Sequence, residues 1–334
     1  MRYYRIEITN KDGKTPLDST GNPIGPFDTS ESPGRGLQVE FDALITGYDV
    51  VNSGTLIVIY GLPITMLSQS VQLSGCQVTV FAGFSEGLPL ANPEQQGIII
   101  SGQIYNPYAN WIGTHQTLNL IVNPSPLLND AGQERSITLD GKKGETLGGV
   151  LQRALTAAFP EFKIDISISD KLALAEDGVG VYNRLGQLAT AIRSKSFSII
   201  NTDDYTGVQM VMQNRTIRVF DNTTATGDGI SILPQELVGQ PTWIGPVSVS
   251  FKCPMRAELR CGDVVKLPQN IISGPGSLLS VNTDRSYSML RDSVNFTGKF
   301  LITSVRHVGD YLNPDSNNAW NTIYEAVVLA KNST

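Results

Sequence analysis

Residues 2–9 (RYYRIEIT) alternate polar and apolar side chains, the period-two pattern of a half-buried strand. The stretch 11–36 that follows is polar, rich in Gly and Pro, and without apolar periodicity. It is expected to be a surface excursion rather than a core element. Alternation resumes over 37–45 (LQVEFDALI), where Leu37, Val39 and Phe41 share one face. The run 54–60 (GTLIVIY) is almost continuously apolar. A strand without a polar face is buried on both sides or lies at an interface. Further strands are predicted over 75–82, 97–105 and 116–122. Strands this closely spaced point to a β-sandwich or barrel. The Asn123-Pro124-Ser125-Pro126 stretch then reads as a domain boundary.

The period changes in the middle of the chain. Leu147, Val150, Leu151, Ala154, Leu155, Ala158 and Phe159 recur at helical spacing, and Pro160 ends the run. A short strand over 162–168 follows. A second helix is predicted near 182–193, with Tyr182, Leu185, Leu188, Ala189 and Ile192 on one side. The Gly178-Val179-Gly180 triplet reads as the turn before it. Two strands, 196–201 (SFSIIN) and 208–219, complete this part, with Gln213-Asn214 as the turn inside the second. The last third returns to alternation over 246–253, 264–267, 298–306 and 322–330, interrupted by a polar excursion over 268–295. The expected fold is mainly β with a small α+β part: a β domain over 1–130, an α+β domain over 131–230 and a β domain over 231–334.

Composition supports this picture. Charged residues are 17% of the 334, and the chain holds 32 Gly and 18 Pro, which suits many short strands joined by turns. The net charge of -6 argues against a dedicated nucleic-acid binder. Its placement is uneven: 1–130 holds 5 Lys/Arg and 11 Asp/Glu, while the remainder is balanced. The three cysteines, Cys76, Cys253 and Cys261, have no CxxC or framework spacing and read as reduced, partly buried thiols. The N-terminus lacks an apolar signal region, and no run approaches the length of a membrane span. The expectation is a soluble product of the cytoplasm.

Candidate chemistry is sparse. His115 and His307 are far apart, match no metal-ligand spacing, and are expected at strand ends or edges. No GxSxG elbow and no phosphate-binding glycine loop is present. The pairs Asp203-Asp204 and Glu176-Asp177 lie in polar turn contexts, and neighbouring carboxylates on a strand point to opposite faces. They read as solvated turns. No catalytic, cofactor-binding or metal-ligating residue is assigned, and no cofactor is expected.

Several ordered segments resemble the baseplate hub proteins of contractile-tailed bacteriophages. They are Leu37-Gln38-Val39-Glu40-Phe41-Asp42, then 52–62 (NSGTLIVIYGL), Gly75 with 78–84 (VTVFAGF), and Ile100-Ser101-Gly102-Gln103-Ile104. In the last third, 236–241 (ELVGQP), 259–265 (LRCGDVV), and 298–310 (GKFLITSVRHVGD) with Trp320-Asn321-Thr322 continue the likeness. No single segment is specific; their order is. The departures are the two polar excursions and Gly54, where the family often carries Ala.

This resemblance implies two tail-tube-like β-barrels separated by smaller α/β elements. It implies a homotrimer whose ring joins the sixfold tail tube above to the trimeric spike below. Tail-tube and spike proteins are then the expected partners, with baseplate wedge proteins as further neighbours. The ring lines a channel through which phage DNA passes without specific binding. The implied location is the virion tail baseplate, assembled in the host cytoplasm, and the implied role is not enzymatic. The alternatives are another tail component, such as a distal tail protein, or a receptor- or glycan-binding tail protein using Trp111, Trp243 and Trp320. A secretion-system spike would share the fold but continue into a needle beyond Thr334. If the acidic N-terminal third lines the channel, it would repel DNA and ease its passage.

Overall fold

The computed structural model describes all residues except 31–35, 51–53, 86–91, 125–134, 225–227, 269–295, 297, 316 and 331–334. The first part of the chain forms β1 (Arg2–Thr9), β2 (Phe27–Asp28), β3 (Val39–Ile45), β4 (Thr55–Tyr60), the one-turn helix α1 (Ile64–Leu67), β5 (Gln77–Phe84), β6 (Gly97–Ile112) and β7 (His115–Asn123). The middle forms β8 (Ile137–Gly141), α2 (Leu147–Ala158), β9 (Lys163–Ser167), β10 (Gly178–Tyr182), α3 (Leu185–Ile199), β11 (Gln209–Gln213) and β12 (Thr216–Phe220). The last part forms β13 (Ile230–Ser231), β14 (Thr242–Trp243), β15 (Ser248–Pro254), β16 (Val264–Lys266), β17 (Phe300–Asp310) and β18 (Trp320–Val328). The protein is thus mostly β with a smaller helical part.

One sheet of 13 strands runs through both β regions in the order β14-β15-β18-β17-β3-β4-β7-β6-β5-β1-β2, with β16 attached to β17 and β13 to β16. No closed barrel is formed among the described residues. Strand β17 joins the regions. Its first residues, Phe300 and Leu301, pair with β16, and Val305–Asp310 pair antiparallel with β3. Separately, β8 pairs with β10, and β9 lies parallel to β12 beside β11.

Three apolar clusters form the core. The first gathers Ile6, Val39, Ile57, Val80 and Leu118, and it also takes Met255, Ala257, Tyr311 and Trp320 from the far end of the chain. The second is built on Val249, Phe251, Phe300 and Tyr324, with Val211 and Phe220 reaching in from the middle. The third packs α2 and α3 on β11 and β12 through Leu151, Leu155, Leu188, Ile192, Met210 and Ile217.

The helical spacing over 147–159 is realised as α2. Thr146 caps it, its Oγ1 accepting the Gly149 N–H at 3.3 Å. The second helix differs from expectation. It starts at Leu185 and continues to Ile199, so the predicted strand over 196–201 is mostly the end of α3. Ser196 falls on the buried face one turn beyond Ile192. Its hydroxyl donates to Arg193 O at 2.7 Å and accepts the Val208 N–H at 3.0 Å, which holds this last turn helical. Gly178-Val179-Gly180 is not a turn but part of β10, whose partner β8 carries no sequence signal strong enough to have been predicted. The β11–β12 turn falls on Asn214-Arg215, both at positive φ, one residue later than predicted.

The first excursion is more tightly held than its composition suggests. Ile24 is buried in the first cluster, and β2 pairs with Arg5 and Ile6 of β1. Thr29 Oγ1 accepts the Tyr4 N–H at 3.0 Å. Asp18 Oδ1 accepts the N–H groups of Thr20 and Asn22, each at 2.8 Å. Apart from Pro268, the second excursion lies outside the described residues. Gly54 opens β4 at φ +88°, and a Cβ there would stand 3.0 Å from Val122 O. Both features disfavour any side chain at that position. No helix among the described residues is long and apolar enough to cross a membrane.

Candidate interaction surface

Strands β3, β4, β7 and β6 point one face into the first cluster through Phe41, Ile57, Ile59, Leu118 and Leu120. On the outer face, Leu56 stands opposite Ile121, and Asn119 stands opposite both Val58 and Tyr108. Leu56 is 40% exposed there, with Leu44, Tyr105 and Tyr108 also open. Charge lies directly beside it: Asp42 and Glu40 of β3 stand opposite Leu56 and Val58, and Arg306 Nε donates to Asp42 Oδ1 at 2.7 Å across β17 and β3. The apolar run 54–60 is therefore not buried on both sides within this chain. Its outward Leu56, with Ile121 beside it and Leu44, Tyr105 and Tyr108 nearby on the sheet, belongs to a short apolar band edged by the carboxylates of β3, the kind of surface that binds another protein.

The band runs into a cavity of about 420 Å³ between this sheet and the β11–β12 turn. Leu44, Ile45, Ile99, Tyr105, Ile121 and Met212 are among its walls, and none of the described residues lining it is charged. Gln213 also lines it. This side chain is buried, and its Oε1 has no hydrogen-bond partner among the described residues. A buried acceptor left unpaired costs about 1–3 kcal/mol, so an occupant bringing a donor would gain there.

On its β6 edge, the β6–β7 hairpin extends past β5. Strand β5 accompanies β6 only to Gln103, whereas β6 runs to Ile112. The tip carries Trp111 (66% exposed) and Ile112 (72% exposed). Trp111 Nε1 donates locally to Gly113 O at 3.0 Å.

Residues with chemical potential are scattered. His115 is exposed at the hairpin tip and stands edge-on to Tyr60. His307, expected at a strand end or edge, is instead fully buried inside β17. Burial pushes its pKa down to about 3. Cys76, Cys253 and Cys261 are free and buried, and burial pushes the Cys253 and Cys261 thiols up to about 12. Asp203 and Asp204 lie in a turn. Asp177 Oδ1 accepts the Lys143 N–H at 2.7 Å. The three tryptophans do not form a platform: Trp320 is buried, Trp243 stacks on Phe296, and Trp111 is the exposed one. Arg256 is buried between Glu236 and Glu258, a structural ion cluster. Among the described residues no group of three or more His, Cys, Asp or Glu is placed to hold a metal ion.

No protein-family model matches the sequence, and no curated protein matches it. Solved structures do. The 43 kDa tail protein of prophage MuSo2 from Shewanella oneidensis aligns with a TM-score of 0.50 at 9% identity, over 98% of this chain and 97% of that one. The chain has the fold of a phage tail protein. Two weaker likenesses accompany it. A tail protein from Neisseria meningitidis gives 0.48 at 9% identity, over 98% of this chain and 96% of that one. An E. coli component of the type VI secretion system gives 0.49 at 9% identity, over 97% and 77%.

Proposed function

We propose that this chain is a structural subunit of a phage-tail baseplate hub, forming a threefold ring between tail tube and central spike. The observation that carries the reading is the tail-protein fold running end to end through both chains of the alignment. The exposed Leu44, Leu56, Tyr105 and Tyr108 on the outer side of the sheet support it, because a subunit that works alone has no use for such a band. The two β regions are the tube-like halves of each subunit, doubled so that three chains offer six similar units. The proposed domain limits remain 1–130, 131–230 and 231–334, each holding most of one apolar cluster. The role is scaffolding rather than catalysis, in the virion tail, with DNA passing through unbound.

The acidic N-terminal third bears on that passage only in part. Glu7 and Asp28 pair with Arg5, Asp42 with Arg306, and Asp49 with Arg193. Two of these partners come from outside the third and reduce its local excess. Mass photometry and electron microscopy of the purified chain, alone and with its tube and spike neighbours, test the reading. A threefold ring is expected. A chain that stays monomeric with its neighbours present, or a ring of another symmetry, overturns it.

A further inference from the structure

The hairpin tip and the cavity differ in shape but match in chemistry. The tip residues, 111–115, carry no carboxylate, lysine or arginine, and the described residues lining the cavity carry none either. In a chain of net charge -6, an uncharged hollow discriminates against charged ligands by desolvation. Its volume of about 420 Å³ leaves room for one large aromatic side chain with an aliphatic neighbour. The tip cannot fill the cavity of its own chain. Trp111 lies six residues along β6 from Tyr105 at the cavity wall, a separation of about 20 Å at the rise of a strand.

We propose that the β6–β7 tip, through Trp111 and Ile112, enters the apolar cavity of a second copy of this chain. The proposal rests on the ring reading above and deepens it by naming the contact. Knob and hole lie on different surfaces, so the contact is head-to-tail. Such contacts propagate around an axis and close into a ring when the rotation permits. Gln213 Oε1 offers the incoming tip a buried acceptor, and burial of a Trp in a dry pocket has the character of an interface hot spot.

Disulfide trapping tests it. The three native cysteines are buried, so Ile112→Cys and Leu44→Cys each add one reactive thiol, at the tip and at the cavity wall. Mixing the two singly substituted chains under mild oxidation is expected to give a linked heterodimer, since a disulfide needs Cα atoms within about 7 Å. Trp111→Ala is expected to raise the subunit dissociation constant roughly thirty-fold while leaving the melting temperature of the dissociated monomer, measured at high dilution, unchanged, because the exposed tip adds little to the fold. Linkage between two Ile112→Cys chains, or between two Leu44→Cys chains, means a symmetric contact and overturns the proposal. So does release of a small apolar molecule from the cavity on denaturation. An oligomer whose affinity Trp111→Ala leaves unchanged removes the tip contact but keeps the ring reading. A chain that remains monomeric with its neighbours removes both.

Discussion

His307 sits where β17 is flanked on both sides, opposite Thr322 of β18 and Ala43 of β3. It is fully buried. Its Nδ1 lies 3.0 Å from Thr322 Oγ1, and Nε2 has no partner among the described residues. Charging the ring would strand a cation in the seam, and burial therefore lowers its pKa from 6.5 to about 3. In the unfolded chain the ring titrates near 6.5. Above that value neither state is protonated at this site, and the stability of the seam is at its full level. As pH falls from 6.5 towards 3, the unfolded chain takes up a proton that the native state refuses, so stability falls by up to ~1.4 kcal/mol per pH unit. Between pH 7 and pH 5 the loss is about 2 kcal/mol. Urea unfolding followed by tryptophan fluorescence at pH 7, 6 and 5 measures it, with His307→Gln as the reference. Carboxylate contributions are common to both proteins and cancel in the comparison. The wild type is expected to lose about 2 kcal/mol more than the variant over this range. Parallel pH profiles would show that the ring is solvated or already charged in the native protein, and would refute the reasoning.

Three further outcomes follow from the seam between the β regions. Trp320→Ala removes a ring packed edge-on against Phe41 and Tyr311 and the Nε1 bond to Gly83 O at 2.9 Å; it is expected to cost about 3–5 kcal/mol in denaturant unfolding. Gly309→Ala places a Cβ against the Phe41 ring, and a destabilisation of about 1–3 kcal/mol is expected from overpacking; an unchanged denaturation midpoint would mean that β17 and β3 do not meet in this register. The Arg306–Asp42 pair is half exposed on both sides, so a double-mutant cycle should return about 0.2–1 kcal/mol, shrinking as salt is added.

Local pattern determined much of this protein. Alternation in 2–9 and 37–45 produced strands because a sheet with one buried face needs every second side chain apolar. The 3.6-residue spacing of Leu147, Val150, Leu151, Ala154 and Leu155 produced α2 for the same reason on a helix. The ordered segments also carried enough likeness to anticipate a tail-protein fold. Other features depended on partners distant in the chain. The end of α3 is helical because Ser196 meets the Val208 N–H, while β10 is a strand because β8 lies beside it. His307 is buried because β3, more than 250 residues away in the chain, closes over β17. The candidate surface divides in the same way. The run 54–60 announced an apolar strand with no polar face. Its outward Leu56 is open, the cavity lies between sheet and turn, and the tip of β6 stands clear of β5. A chain's own periodicity records which face is apolar, but only the packing of remote elements decides whether that face is covered.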